Sequence, residues 1–204
     1  MLVFSNYEGT RHVAAIVLAA GRSCRMGLPK MLLPWKDLTV IRYVVTVLES
    51  IGLEEIVVVT GGARMEVESA LAGSSARTVY NPRFSEEEML YSLQIGLTSL
   101  PEKITAALVV LGDQPQIEKM VIQQILELTI QSRATLVVPS YERRRGHPWL
   151  VHRSLWQEIH LLKPGQTLRS FLAKHADQIM YLSLDTPSIL KDLDTPEDYE
   201  RERP

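Results

Sequence analysis

Val13-Ala14-Ala15-Ile16-Val17-Leu18-Ala19-Ala20-Gly21-Arg22-Ser23-Cys24-Arg25-Met26-Gly27-Leu28-Pro29-Lys30 is the stretch on which the reading of the fold turns. Its first six residues are apolar and include β-branched Val and Ile, the pattern of a strand buried on both faces, and such strands belong to parallel sheets covered by helices. The chain then passes into small residues that end at Gly21. Ala19, Ala20 and Gly21 put no side-chain bulk over the peptide plane, so successive N–H groups can converge on an anion. Arg25 and Lys30 follow, a planar donor fork and a mobile point charge, which together suit a polyphosphate. The alternative is a plain strand-to-loop crossover whose two cations are solvated. The spacing is not that of the common phosphate loop: five residues separate Gly21 from Gly27 and no hydroxyl residue follows Lys30.

Outward from this stretch the chain alternates strand and helix. Val40, Ile41, Val44, Val47, Leu48 and Ile51 form a helical stripe that ends at Gly52. Glu55–Thr60 reads as a strand stopped by Gly61-Gly62, Glu66–Leu71 as a short helix, and Ala76–Tyr80 as a strand ending at Asn81-Pro82. A helix is expected over Met89–Leu97, a strand over Ala106–Leu111, a long helix over Ile117–Gln131 and a strand over Thr135–Val138. Repeated βαβ units with right-handed crossovers give an α/β fold with a mainly parallel sheet between two helical layers. Ligands then belong at the carboxyl ends of the strands, which gathers Leu18 to Gly27, Thr60 to Gly62, Asn81 and Gly112 to Pro115 on one edge.

Composition limits what this edge can serve. With 204 residues and 46% hydrophobic content, the expectation is one domain spanning 1–204, with 1–12 an N-terminal extension. A net charge of −2 argues against a nucleic-acid binder, so affinity for phosphate must come from a local arrangement. The single cysteine, Cys24, allows no internal disulfide framework, and the five histidines show no zinc-ligand spacing. The first twelve residues are too short and polar for a signal peptide, and no run is long enough to span a bilayer. The expected setting is cytoplasmic, without membrane or nucleic-acid partners.

Three further elements carry chemistry. In Gly112-Asp113-Gln114-Pro115 a carboxylate stands at the end of a buried strand, which suits magnesium bound to substrate phosphates; an N-cap or Asx-turn is the structural alternative. Tyr141 to Pro148 places three arginines at a turn between two strands, where Arg143 and Arg144 read as solvated. Near the C-terminus, Thr195 can cap a helix with Pro196 at its first position and Asp198 at its third. That leaves Asp192 and Asp194, two residues apart in an extended segment and therefore on the same side.

Leu18-Ala19-Ala20-Gly21-Arg22-Ser23-Cys24-Arg25-Met26-Gly27-Leu28-Pro29-Lys30 resembles the signature of the MobA-like NTP transferases and matches it at every fixed position. Gly112-Asp113-Gln114-Pro115, Gly146-His147-Pro148 and Asp192-Leu193-Asp194-Thr195-Pro196-Glu197-Asp198 resemble further elements of that family, in the form of its molybdenum cofactor cytidylyltransferase branch. The resemblance implies a three-layer, Rossmann-like nucleotide-diphospho-sugar transferase fold. It implies a magnesium-dependent transfer of CMP from CTP to the phosphate of molybdopterin cofactor, with release of pyrophosphate and a molybdoenzyme as possible recipient. Carried over residue by residue, Arg25, Lys30 and Asp113 are the catalytic set. Leu18, Ala19, Ala20, Gly21, Gly61 and Asn81 join Arg25 and Lys30 in binding the nucleotide, and Asp113 and Asp194 hold the metal, with Asp192 the other choice for the second ligand.

Arg145 and His147 face the acceptor, although His147 could equally be a structural histidine. Ala19-Ala20-Gly21 resembles the cytidylyl branch more than the guanylyl branch, which usually has Ala-Gly-Gly. The sequence departs from its relatives at Gly165 to Phe171, where an acidic residue and a second glycine are missing, and between Asn81 and Leu97, where a glycine and a serine are lost. Other readings are a guanylyltransferase, a sugar-phosphate or isoprenoid-precursor nucleotidyltransferase, and a non-catalytic carrier of the finished cofactor. A carrier has no need of a triphosphate site.

Overall fold

The computed structural model describes residues 12–21, 29–86 and 89–204. The opening run forms strand β1, Val13–Ala19, buried at every position. Its side chains divide by parity, as a pleated strand requires. Val13, Ala15, Val17 and Ala19 enter one apolar cluster, and Ala14, Ile16 and Leu18 enter a second one on the opposite face.

A small hairpin follows, β2 (Pro34–Trp35) with β3 (Leu38–Thr39), and then helix α1 (Val40–Glu49), capped by the Thr39 hydroxyl. Next come β4 (Glu55–Thr60), α2 (Arg64–Ala70), β5 (Arg77–Tyr80), α3 (Met89–Thr98), β6 (Ala106–Leu111) and α4 (Lys119–Ser132). The chain continues with β7 (Leu136–Tyr141), β8 (Arg144–Arg145), β9 (Trp149–His152), α5 (Trp156–Leu161), α6 (Leu168–Lys174), β10 (Ile179–Ser183) and α7 (Pro196–Glu202).

The main sheet runs in the order β10-β7-β9-β6-β1-β4-β5, with β8 paired to β7. Pairings β1 with β4, β1 with β6, β4 with β5 and β7 with β10 are parallel. Only β9, set between β6 and β7, and β8 run against them. The expected α/β architecture with a mainly parallel sheet covered on both faces is what the chain forms. Because β1 stands between β4 and β6, the chain reverses its direction of growth at β1, and the crevice at its carboxyl end is where such sheets hold ligands.

Two helix starts differ from expectation. Helix α2 begins at Arg64, two residues before Glu66, and α4 at Lys119, two after Ile117. The delay at α4 has a local cause: the Ile117 N–H donates to the Gln114 carbonyl at 3.2 Å, closing a turn before the helix can begin. Thr167 and Thr195 each form a reciprocal capping box, and at Thr195 the expected partners, Pro196 and Asp198, occupy the first and third helical positions. Residues 1–11, which are most of the expected N-terminal extension, lie outside the described residues. No helix among the described residues is long and apolar enough to cross a membrane.

Candidate functional site

Strands β1, β4, β5 and β6 bring Leu18 to Gly21, Thr60 to Gly62, Asn81 and Gly112 to Pro115 to one edge of the sheet, since all four are parallel. The first two groups touch. A Cβ at Gly61 would lie 2.3 Å from the Ala20 carbonyl oxygen and 2.7 Å from the Phe84 Cβ, so only glycine lets the end of β4 come this close to the end of β1. The ground in front of Gly21 is different: a Cβ there would meet no described atom within 4 Å. The Leu18 carbonyl accepts from Gly112 N–H at 3.0 Å, which joins the two chemistry-bearing loops by one backbone bond.

Asn81 is buried and its amide is engaged within the fold. Nδ2 donates to Ser92 Oγ at 2.9 Å and Oδ1 accepts from Arg83 N–H at 2.8 Å. It therefore holds the corner between β5 and α3. Arg25, with the rest of 22–28, lies outside the described residues.

The centre of the edge is an ion-pair cluster. Lys30 stands in a short 3₁₀ turn, residues 30–32, behind Pro29. Its Nζ pairs with Asp113 Oδ2 and also donates to Asp194 Oδ1 at 3.1 Å. The Lys30 and Asp113 side chains are 13% and 14% exposed, while that of Asp194 is 48% exposed, so the pair is covered from below and open from above. Burial pulls the Lys30 pKa down, but the charges of Asp113 and Asp194 and the hydrogen bonds to them outweigh it and leave it above the ordinary lysine value. Lys30 is thus a charged, half-buried group in a network, and the alternative reading of it as a solvated loop cation does not describe it.

Asp113 and Asp194 come together because the segment from Leu184 to Asp194 folds back as a strap along the carboxyl edge. The Leu184 N–H donates to the Ser140 carbonyl at 2.9 Å, the Thr186 hydroxyl to Glu118 at 2.9 Å, and the Leu193 N–H to the Asp113 carbonyl at 3.2 Å. Leu193 is fully buried against Trp35 and Val40, which fixes the strap between the two aspartates it carries. Gln114 donates its amide to Asp192. Burial of the Asp192 carboxylate, and then the charge of Asp113, hold its carboxyl above the usual range, although Asp192 as a residue is exposed.

Sequence reasoning did not find this Gln114–Asp192 bond. The available signal was that Gln114 follows Asp113 while Asp192 precedes Asp194 by two.

The donor set fits a hard divalent cation. Asp113 and Asp194 supply oxygen only, and both already reach a single cationic nitrogen. Among the described residues no group of three or more His, Cys, Asp or Glu side chains forms a metal cage.

Arg145 and His147 lie on the segment from β8 to β9, which runs against this strap. Gly146 N–H donates to the Pro139 carbonyl at 3.0 Å and His147 N–H to the Ile189 carbonyl at 3.0 Å. A Cβ at Gly146 would come within 2.4 Å of the Ile189 oxygen, so glycine is required where the hairpin passes under the strap. Arg145 Nε donates to the Tyr181 hydroxyl at 2.9 Å. Exclusion of water pushes His147 down to about 4, so its imidazole is neutral through the physiological range.

The sign for stability follows. The unfolded chain binds a proton at His147 near pH 6.5 and the folded chain resists it down to about 4, so folding loses stability as pH falls through that window. His147→Asn is expected to flatten the decline of Tm between pH 6.5 and 4, checked by thermal melts of both proteins across that range; an unchanged slope would show that His147 protonates freely in the folded state.

Comparison with known proteins gives the family. Residues 15–179 match the MobA-like NTP transferase domain. The bifunctional protein GlmU of Francisella tularensis subsp. novicida is 32% identical over 137 residues; the match covers 66% of this chain and 29% of that protein, so the chain spans less than a third of this curated relative. Rv0371c from Mycobacterium tuberculosis H37Rv superposes with a TM-score of 0.83 at 28% identity, covering 94% of this chain and 97% of that one. The same protein has also been solved in complex with manganese, at a TM-score of 0.78 and 27% identity over 93% and 97% of the two chains. A nucleotidyl transferase from Methanothermobacter superposes at 0.80 with 27% identity over 94% and 96%. With its strand-end loops, its paired aspartates and a domain match over most of its length, the chain belongs to the MobA-like NTP transferase family and is a nucleotidyltransferase.

Proposed function

We propose that the protein transfers CMP from CTP to the phosphate of molybdopterin cofactor and releases pyrophosphate. The observation that supports this reading best is Lys30 held between Asp113 and Asp194 at the sheet edge that also carries Gly21. A cation and two carboxylates at the end of β1 and β6 are the parts needed to bind a triphosphate together with a divalent ion. An oxygen of the acceptor phosphate attacks the α-phosphorus in line, and the bond to the oxygen bridging to the β-phosphorus breaks as pyrophosphate leaves.

No proton need be taken from an acceptor phosphate that is already ionised, so the protein's task is placement and charge. Arg25 and Lys30 bind the triphosphate and stabilise the charge that gathers on the pyrophosphate. The backbone of Leu18, Ala19, Ala20 and Gly21 takes the nucleoside, with Gly61 closing the floor against Ala20 and Asn81 fixing the neighbouring corner. Asp113 and Asp194 hold magnesium, which when bound neutralises phosphoryl oxygens. Gln114 keeps Asp192 off the phosphates by hydrogen bonding to its carboxylate. Arg145 offers charge to the acceptor, and His147, kept neutral by burial, offers a hydrogen bond.

What supports CTP over GTP is Ala20 in the Ala19-Ala20-Gly21 form, where a second glycine would leave more room for a purine. The test is pyrophosphate release with each of the four ribonucleoside triphosphates, magnesium and molybdopterin cofactor. CTP is expected to lead, and Ala20→Gly to shift the balance toward GTP. Preference of the wild type for GTP would remove the cytidylyl assignment, and release only with a sugar phosphate or isoprenoid precursor would remove molybdopterin.

A further inference from the structure

We propose that Lys30 is a stand-in for the metal: seated between Asp113 and Asp194, its ammonium keeps a free divalent cation off these carboxylates until a triphosphate draws it away. The proposal rests on the reading that Asp113 and Asp194 are the metal ligands. Lys30 Nζ is bonded to one oxygen of each aspartate at once, so any ion that takes those two oxygens must displace it. An ammonium and a dication cannot share the two carboxylates at contact distance without strong repulsion, because the pair is covered on one side and poorly screened.

The means of displacement are built in. The Lys30 backbone is pinned: the 3₁₀ turn is closed by Leu32 N–H on the Pro29 carbonyl at 2.9 Å, Leu33 N–H on the Lys30 carbonyl at 3.3 Å, and burial of Met31. Only the flexible four-carbon stem remains to move. A triphosphate placed before Gly21 offers the ammonium several anionic oxygens in exchange for two. Once it moves, Asp113 and Asp194 lose the charge it supplied and can take a divalent ion that the same phosphates help to hold.

Metal and nucleotide therefore bind with positive coupling, and the coupling acts equally in both directions. The arrangement makes the metal–nucleotide complex the species that the site accepts, and leaves the two carboxylates of the empty site paired with the ammonium.

Manganese alone, titrated into the full chain without nucleotide and followed by electron paramagnetic resonance of the free ion, tests this. Lys30→Met, which keeps the apolar stem and removes the charge, is expected to bind manganese about tenfold tighter or more than wild type. Lys30→Arg should stay as weak as wild type, and Asp113→Asn added to Lys30→Met should abolish the gain. A second measurement needs no variant: the rise in Tm of wild type with manganese and pyrophosphate together should exceed the sum of the rises with each alone. Lys30→Met binding manganese no tighter than wild type, or strictly additive rises in Tm, would overturn the proposal. Either result is read without turnover, so it is distinct from failure of the CTP or molybdopterin assignment, which only the pyrophosphate-release assay reports.

Discussion

Asp113→Asn is expected to lower metal-dependent pyrophosphate release by about a thousandfold, the rate equivalent of the several kcal/mol that metal-borne charge stabilisation supplies to phosphoryl chemistry. Asp194→Asn should be nearly as damaging. The pair should behave as one unit: both carboxylates bond to one ammonium, and the Leu193 N–H ties the strap that carries Asp194 to the Asp113 carbonyl at 3.2 Å. Groups that act as a unit are not additive, so the double variant should be little worse than Asp113→Asn alone. Steady-state rates of the three variants at saturating CTP and magnesium check this. Losses that multiply in the double variant would place the two aspartates in separate roles.

Lys30→Ala is expected to affect both activity and folding. Turnover should fall by about a hundredfold or more, because a charge on the departing pyrophosphate is lost. Placement on an exposed loop would make the truncation nearly neutral for stability, but the structure overturns that placement. Lys30 is half-buried and pairs with both Asp113 and Asp194, and without it the two carboxylates lose the cation they share.

Removing one partner of a fully buried pair costs roughly 3–5 kcal/mol, and the openness of Asp194 to water should reduce this to about 2 kcal/mol. Chemical denaturation in chelator, and again with manganese, measures it. Manganese should restore most of the loss in the variant, since a cation returns to the vacant place; a variant as stable as wild type in chelator would show that the ion pairs contribute nothing to folding.

Much of this was legible in the sequence because the central strands are buried on both faces and therefore read as unbroken apolar runs. Glu55–Thr60 and Ala106–Leu111 form strands with the bounds their composition indicates. Glycine and proline after each run mark the edge where the loops gather. The Thr195 capping box was legible for another reason: it is set by three neighbouring residues and needs no knowledge of the rest of the fold.

That a strand follows the Tyr141 to Pro148 turn was legible, but the bounds and partners of β9 were not. Trp149–His152 is four residues long, too short to show a period, and its antiparallel place between β6 and β7 depends on partners far away in the chain.

The site divides in the same way. Asp113 could be singled out from its residue type at a strand end, and Asp194 was chosen over Asp192 by resemblance, but their meeting at Lys30 is a tertiary event produced by the strap from Leu184 to Asp194. Asn81 shows the limit of naming from position: it stands at the expected edge, yet its amide is engaged by Ser92 and Arg83. Gly61 is needed for contact with Ala20, a packing role that its assignment to the nucleotide by resemblance does not include.

The central claim is that Asp113 and Asp194 together receive one divalent ion when a nucleotide is bound. Anomalous diffraction from crystals of the protein grown with manganese and a non-hydrolysable CTP analogue reads it directly. The account predicts a single peak bonded to carboxylate oxygens of both aspartates, directly or through one water, at metal–oxygen distances of about 2.1–2.2 Å, with Lys30 turned from the carboxylates to the phosphates. A peak elsewhere, or nucleotide bound with Lys30 still between Asp113 and Asp194, would contradict it.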